Sequence, residues 1–152
     1  MTNGLFFRAE SFFNFARHLD QTSSGRYTER DLHQMSHGEA FLGLFANRLG
    51  TRTNAIYLLD EPEAALSPAR QLAFLRLLHR WQESTRVQAI IATHSPILMA
   101  YPHATILSFA DGEVRETSYR ETEHYRLTSA FLAAPEQYLD HLLDGDEDPV
   151  SR

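Results

Sequence analysis

Two adjacent carboxylates, Asp60 and Glu61, end the apolar run Ile56-Tyr57-Leu58-Leu59 and are followed at once by Pro62. A continuous apolar run reads as a strand of a parallel sheet, and in open α/β sheets ligands bind beyond the carboxyl ends of the strands. The pair is expected to emerge at such an end. There one carboxylate can hold Mg²⁺, usually through water, while its neighbour orients or deprotonates an attacking water. The plainer alternative is a surface Asp-Glu-Pro turn after a core strand.

A second candidate, His94, stands in Ala92-Thr93-His94-Ser95-Pro96, just past another apolar run. If the two runs are strands of one sheet, its imidazole shares the rim with Asp60 and Glu61 and can contact a phosphate or the attacking water. Otherwise it is a hydrogen-bonded structural histidine. The segment Met35-Ser36-His37-Gly38-Glu39 has two readings that do not exclude each other. Ser36 and Glu39 form the Ser-x-x-Glu capping box of a helix start, and Ser36 with Gly38 also presents exposed N–H groups at the positive end of a helix dipole, which suits a terminal phosphate. His37 falls inside this segment. His18, His33, His79, His103, His124 and His141 show no metal-ligand spacing with a cysteine or a second histidine.

The elements that must position these groups follow from periodicity and breakers. Phe12, Phe15, Ala16 and Leu19 lie on one stripe of a helix over 9–20, and polar residues 21–31 read as a loop. A helix over 36–49 is stopped by Gly50, and a strand follows over 55–59. Ser67-Pro68 supplies an N-cap with proline at the first helical position, and Leu72, Leu75, Leu78, His79 and Trp81 keep helical spacing beyond it. Residues 87–93 form a second buried strand, and Ser95-Pro96 caps a short helix ending near Tyr101-Pro102. Residues 105–109 and 113–119 flank Asp111-Gly112 as a hairpin, and 121–143 is helical with a break at Pro135. Residues 144–152 are an acidic tail. Phe6, Phe7, Phe12, Phe13 and Phe15 are expected in the core rather than on a base-stacking platform.

Alternating strands and helices predict a parallel α/β sheet. The 152 residues, 43% hydrophobic, suffice for one domain with one core. The net charge of -6 offers no general attraction for DNA, so contact with DNA is not supported by charge. No cysteine is present, which excludes disulfides and thiolate metal sites. No apolar run reaches bilayer length, and the first ten residues lack the pattern of a secretory signal. A cytoplasmic protein without membrane partners is expected. All 14 basic residues are arginine.

The order of motifs is more specific than any one of them. Ser36-His37-Gly38-Glu39, then Ile56 to Glu61, then Ala64-Ala65-Leu66-Ser67, then His94 resembles the signature, Walker B, D-loop and switch-histidine series of ABC-type ATPases. More narrowly, it is similar to the AAA-family ATPases related to SMC, RecF and OLD proteins. The resemblance implies ATP and Mg²⁺ as cofactors, Asp60 as the metal ligand, Glu61 as the catalytic base and His94 as the γ-phosphate sensor. It implies a homodimer in which Ser36, His37, Gly38 and Glu39 meet the nucleotide of the opposite subunit, with Ser67 in the interface segment; Ser67 stands where transporter ATPases carry Asp.

The family also carries a Walker A loop, Gly-x-x-x-x-Gly-Lys-[Ser/Thr], whose backbone and lysine hold the phosphates. This sequence contains no lysine. The resemblance therefore implies a P-loop NTPase-like (ABC ATPase class) α/β fold with a parallel sheet flanked by helices, incomplete at the amino-terminal side, with a carboxyl-terminal β-hairpin and helices. One domain is expected over 1–143: a helical signature region over about 8–50, a sheet core over about 54–120 and terminal helices over 121–143. The Walker A strand would lie between the strand over 87–93 and the one over 105–109, leaving exposed edges unless these pair with each other or with a missing segment. ATP hydrolysis would need the missing loop. The competing expectation is a non-catalytic binding or regulatory module of the same fold.

Overall fold

The computed structural model describes residues 3–8, 42–43, 54–110 and 112–143. The expected helix over 9–20, the loop over 21–31, nearly all of the helix over 36–49 and the acidic tail lie outside the described residues. Leu42 and Gly43 are helical. The chain divides into two compact units, Met1–Tyr101 and Pro102–Arg152.

In the first unit, β1 (Asn3–Arg8), β2 (Ala55–Asp60) and β3 (Val87–Ala92) form a parallel sheet in the order β1-β2-β3. The register aligns Arg8 with Asp60 and Asp60 with Ala92, so all three strands end at one rim. Helix α1 (Pro68–Ser84) links β2 to β3. Ser67 is its N-cap and Pro68 takes the first helical position, where a missing N–H costs no intrahelical bond. Thr85, in the left-handed region at φ 53°, ends the helix. The buried side of α1 carries Gln71, Phe74, Leu77, Leu78 and Trp81. Leu72, part of the stripe read from sequence, is 57% exposed, so the inward face is rotated from that reading by about one position.

Phe74, Leu77, Leu78 and Trp81 pack with Phe7, Tyr57 and Leu59 of the strands and with Leu98 of α2 (Pro96–Met99). The Trp81 ring lies 4.8 Å from that of Tyr57 and 6.1 Å, edge-on, from that of Phe74. Burial of such rings supplies much of the stability of a small core.

Among the described residues, the buried side chains of the sheet lie on one face. Residues alternate across a strand, so Phe7, Tyr57 and Leu59 point into the core, while Phe6, Leu58 and Ile90 form a row across the other face and are 64%, 39% and 54% exposed. The apolar runs of β2 and β3 predict burial on both sides; on the second side Phe6, Leu58 and Ile90 are exposed instead. Phe6, expected in the core, is on this second face. β1 itself was not among the expected elements, although its apolar residues run into Arg8 as those of β2 run into Asp60.

In the second unit, β4 (Ile106–Ala110) and β5 (Glu113–Thr117) make an antiparallel hairpin, with Gly112 at φ 76° in the turn, a conformation glycine adopts without steric cost. The hairpin forms a two-stranded sheet of its own. A 3₁₀ turn, Tyr119–Glu121, precedes α3 (Glu123–Ala133) and α4 (Pro135–Leu143). The break falls at Pro135 as the sequence predicts, since proline cannot donate within a continuing helix. Among the described residues, no hydrophobic side chain of this unit is buried.

Ser118 donates to Glu121 Oε2 from its hydroxyl at 2.7 Å and from its backbone N–H at 3.3 Å. These bonds hold the Glu121 carboxyl below the ordinary glutamate value, with Arg126 adding to the effect. A carboxylate depressed in the folded state contributes stability above its unfolded value, and that contribution is lost as pH falls through the folded one. An NMR titration is expected to find Glu121 below an ordinary glutamate in the parent protein and moved up towards it in Ser118→Ala. Among the described residues, no helix is long and apolar enough to cross a membrane.

Candidate functional site

The chain leaves β2 at Asp60 and turns abruptly at Glu61, which has φ 46° and ψ 52°. A non-glycine residue in the left-handed region costs roughly 1–2 kcal/mol and persists only where its surroundings enforce it. Here the Glu61 N–H donates to the Ala92 carbonyl at 2.9 Å, continuing the β2–β3 ladder. Pro62 is buried and opens a 3₁₀ turn, Pro62–Ala65. The left-handed turn redirects the chain immediately after the two acids, leaving both side chains at the rim.

Asp60 and Glu61 therefore stand at the end of the central strand, and His94 lies two residues beyond the end of its neighbour, β3. His94 Nε2 is 3.7 Å from Glu61 Oε1, and both side chains are more than half exposed. Two adjacent carboxylates and a histidine far along the sequence thus share one solvent-facing edge. Ser67 is exposed at the start of α1, where its carbonyl accepts from the N–H groups of Arg70 and Gln71. Ser36, His37, Gly38 and Glu39 lie outside the described residues.

Three further residues belong to this edge. Arg8, at the end of β1, donates from Nε to Asp60 Oδ2 at 2.8 Å. Glu63 accepts at Oε1 from the His94 backbone N–H at 2.7 Å. The third, Gln71, is buried; its Nε2 donates to the Leu66 carbonyl at 3.2 Å and its Oε1 accepts from the Ser95 hydroxyl at 2.5 Å. Ser95 Oγ in turn accepts from the Leu98 N–H, capping α2. For Arg8 the sequence does hold a signal, since Gly4-Leu5-Phe6-Phe7 is an apolar run ending in a charge, as β2 is. For Glu63 and Gln71 there is none, because their partners are 31 and 24 residues away.

Over residues 3–100, well over half its length, the chain matches the family described as "AAA domain, putative AbiEii toxin, Type IV TA system". The chain belongs to this AAA domain family. No curated protein and no solved structure is matched. The matched span contains the parallel sheet, α1 and α2, and the rim that carries Asp60, Glu61 and His94. As a member of the AAA family the chain is a nucleotide-binding, ATPase-like module. Its fold is mixed α/β, with a three-stranded parallel sheet, an antiparallel hairpin and flanking helices.

The residues at the rim fit Mg²⁺. Among the described residues, no cluster of three or more His, Cys, Asp or Glu side chains could hold a metal. Mg²⁺ in nucleotide sites does not need one, being held by one or two carboxylates together with phosphates and waters. Asp60, a hard oxygen donor at the strand end, meets that requirement. The chain has no lysine, the residue with which a Gly-x-x-x-x-Gly-Lys loop reaches the terminal phosphates.

Proposed function

We propose that these residues form the Walker B, D-loop and switch-histidine portion of an ABC-type ATPase site, and that a glycine-rich phosphate loop outside the 152 residues completes it. The observation that carries this reading is the meeting of Asp60, Glu61 and His94 at one rim of a parallel sheet. Asp60 would hold Mg²⁺, which supplies charge neutralisation for the phosphates. Glu61 accepts the proton of the water that attacks the γ-phosphorus, while the bond to the β-phosphate oxygen breaks and ADP leaves. The exposed imidazole of His94, 3.7 Å from Glu61, contacts the γ-phosphate and helps align that water. Ser36, His37, Gly38 and Glu39 would bind the nucleotide of a second copy, and Ser67 would meet that copy.

The test is phosphate release in the presence of Mg²⁺ by the protein produced with the in-frame sequence upstream of Met1, compared with the 152 residues alone. Turnover is expected only where a glycine-rich loop ending in lysine and serine or threonine is present. Hydrolysis by the 152 residues alone, or none with such a loop in place, counts against the proposal.

A specific observation favours a second reading, a non-catalytic binding or regulatory module. The Arg8 guanidinium already neutralises Asp60, the group that would hold Mg²⁺. Arg8→Gln separates the two readings. Exposed ion pairs contribute about 0–1 kcal/mol, so stability is expected to change little. In the catalytic reading the variant lowers the Mg²⁺ concentration that half-saturates hydrolysis, because Arg8 no longer competes for the carboxylate. In the non-catalytic reading Mg²⁺ has no effect in either protein.

A further inference from the structure

We infer that Glu63 is a positioning residue for His94, fixing through its carboxylate the turn that carries the imidazole. The inference rests on the reading above in which His94 acts at the terminal phosphate. Glu63 lies in the 3₁₀ turn after Glu61, and its Oε1 accepts from the His94 N–H at 2.7 Å. Its other oxygen, Oε2, is buried and has no hydrogen-bond partner among the described residues. Leaving a buried polar atom unsatisfied is costly, and the bond at Oε1 offsets part of that cost. A charge-assisted bond of that length is roughly twice as strong as a neutral one. The bond ties the segment after β3 to the same short turn that directs Glu61, so base and histidine share one support.

The tether is distinct from what keeps the segment folded. On the other side of His94, Ser95 is buried and bonded to Gln71, and its N–H donates to Thr93 Oγ1 at 3.0 Å. With Glu63 removed, those bonds still hold the turn, and what is lost is the orientation of His94 relative to Glu61. Small misplacements of a catalytic group have large kinetic cost without loss of binding.

The test uses the whole ATP-hydrolysing protein, phosphate loop included, with Glu63→Ala, Glu63→Gln, His94→Ala and the double variant Glu63→Ala/His94→Ala. Cooperative thermal unfolding is expected in all four. In Glu63→Ala the His94 amide resonance moves upfield and its hydrogen exchanges faster, kcat falls about 10- to 100-fold, and KM for ATP stays within about twofold. Glu63→Gln, which keeps an acceptor oxygen at the same reach, restores kcat to within about threefold of the parent. The double variant is no slower than His94→Ala, because a residue that acts only through His94 has nothing left to position.

An unchanged His94 amide in Glu63→Ala overturns the tether. Additive losses in the double variant, or a normal kcat in Glu63→Ala where His94→Ala is impaired, overturn the positioning role. Parent-level turnover in His94→Ala overturns the role assigned to His94 and with it the positioning of that role, while the amide shift, which does not depend on turnover, still reports whether the tether exists.

Discussion

Replacing Glu61 with glutamine is expected to slow ATP hydrolysis by about 10²- to 10⁴-fold, the usual contribution of a positioned general base, in the protein that carries its phosphate loop. Glutamine keeps the size of the side chain and its acceptor oxygen but cannot take a proton from water. The change is expected to appear in kcat, with ATP and Mg²⁺ still bound, because Asp60 and the phosphate-binding groups are untouched. Stability should be unaffected, since the Glu61 side chain is 57% exposed and the left-handed backbone at φ 46° is equally strained with either residue. Phosphate release under saturating ATP, with thermal unfolding in parallel, checks both halves. Full turnover in this variant would remove Glu61 from the mechanism and leave the left-handed turn as a purely structural feature.

The largest loss of stability is expected from Phe74→Ala. Phe74 is 0% exposed on the inward face of α1 and meets Trp81 edge-on. Removing a fully buried phenylalanine costs about 3–5 kcal/mol, the spread reflecting how far the surroundings collapse into the cavity. For a domain whose whole stability is of order 5–15 kcal/mol, that is a large share, and the midpoint of urea unfolding should fall accordingly. Among the described residues the buried cluster lies on the α1 side of the sheet, while Phe6, Leu58 and Ile90 on the other face are exposed, so the cost is expected towards the upper end. A change below about 1 kcal/mol, the range of surface substitutions, would mean that α1 does not pack on the sheet as described.

The two substitutions act on different levels of one arrangement. Phe74 belongs to the layer that fixes β2 and β3 side by side, and Glu61 to the rim those strands share. Loss of the first should remove activity only by unfolding, whereas loss of the second should remove activity from a folded protein.

The sequence by itself determined the elements that have a strong local cause. β2 ends in Asp60 because the apolar and aromatic run Ala55-Ile56-Tyr57-Leu58-Leu59 meets two charges. Ser67-Pro68 fixes the start of α1, Pro135 fixes the break between α3 and α4, and the glycine at 112 supplies the positive φ of the hairpin. These are effects within a few residues, and pattern captures them. The candidacy of Asp60, Glu61 and His94 was legible for the same reason, since each follows directly on an apolar run.

Only the tertiary structure decided which distant residues meet. The register that sets Arg8 beside Asp60 and Ala92 beside Asp60 depends on packing against α1, and a single-residue slip would turn each side chain to the opposite face. The same dependence on packing explains the errors of reading. The β2 and β3 runs look alike whether one face or both are covered, so sequence could not show that Phe6, Leu58 and Ile90 stay exposed. Leu72 and Phe74 both fit helical spacing, and only the position of the sheet selects Phe74. The bonds from Glu63 to His94 and from Gln71 to Ser95 join side chains whose separation along the chain leaves no periodic trace, because a hydrogen bond responds to distance in space and not to spacing in sequence.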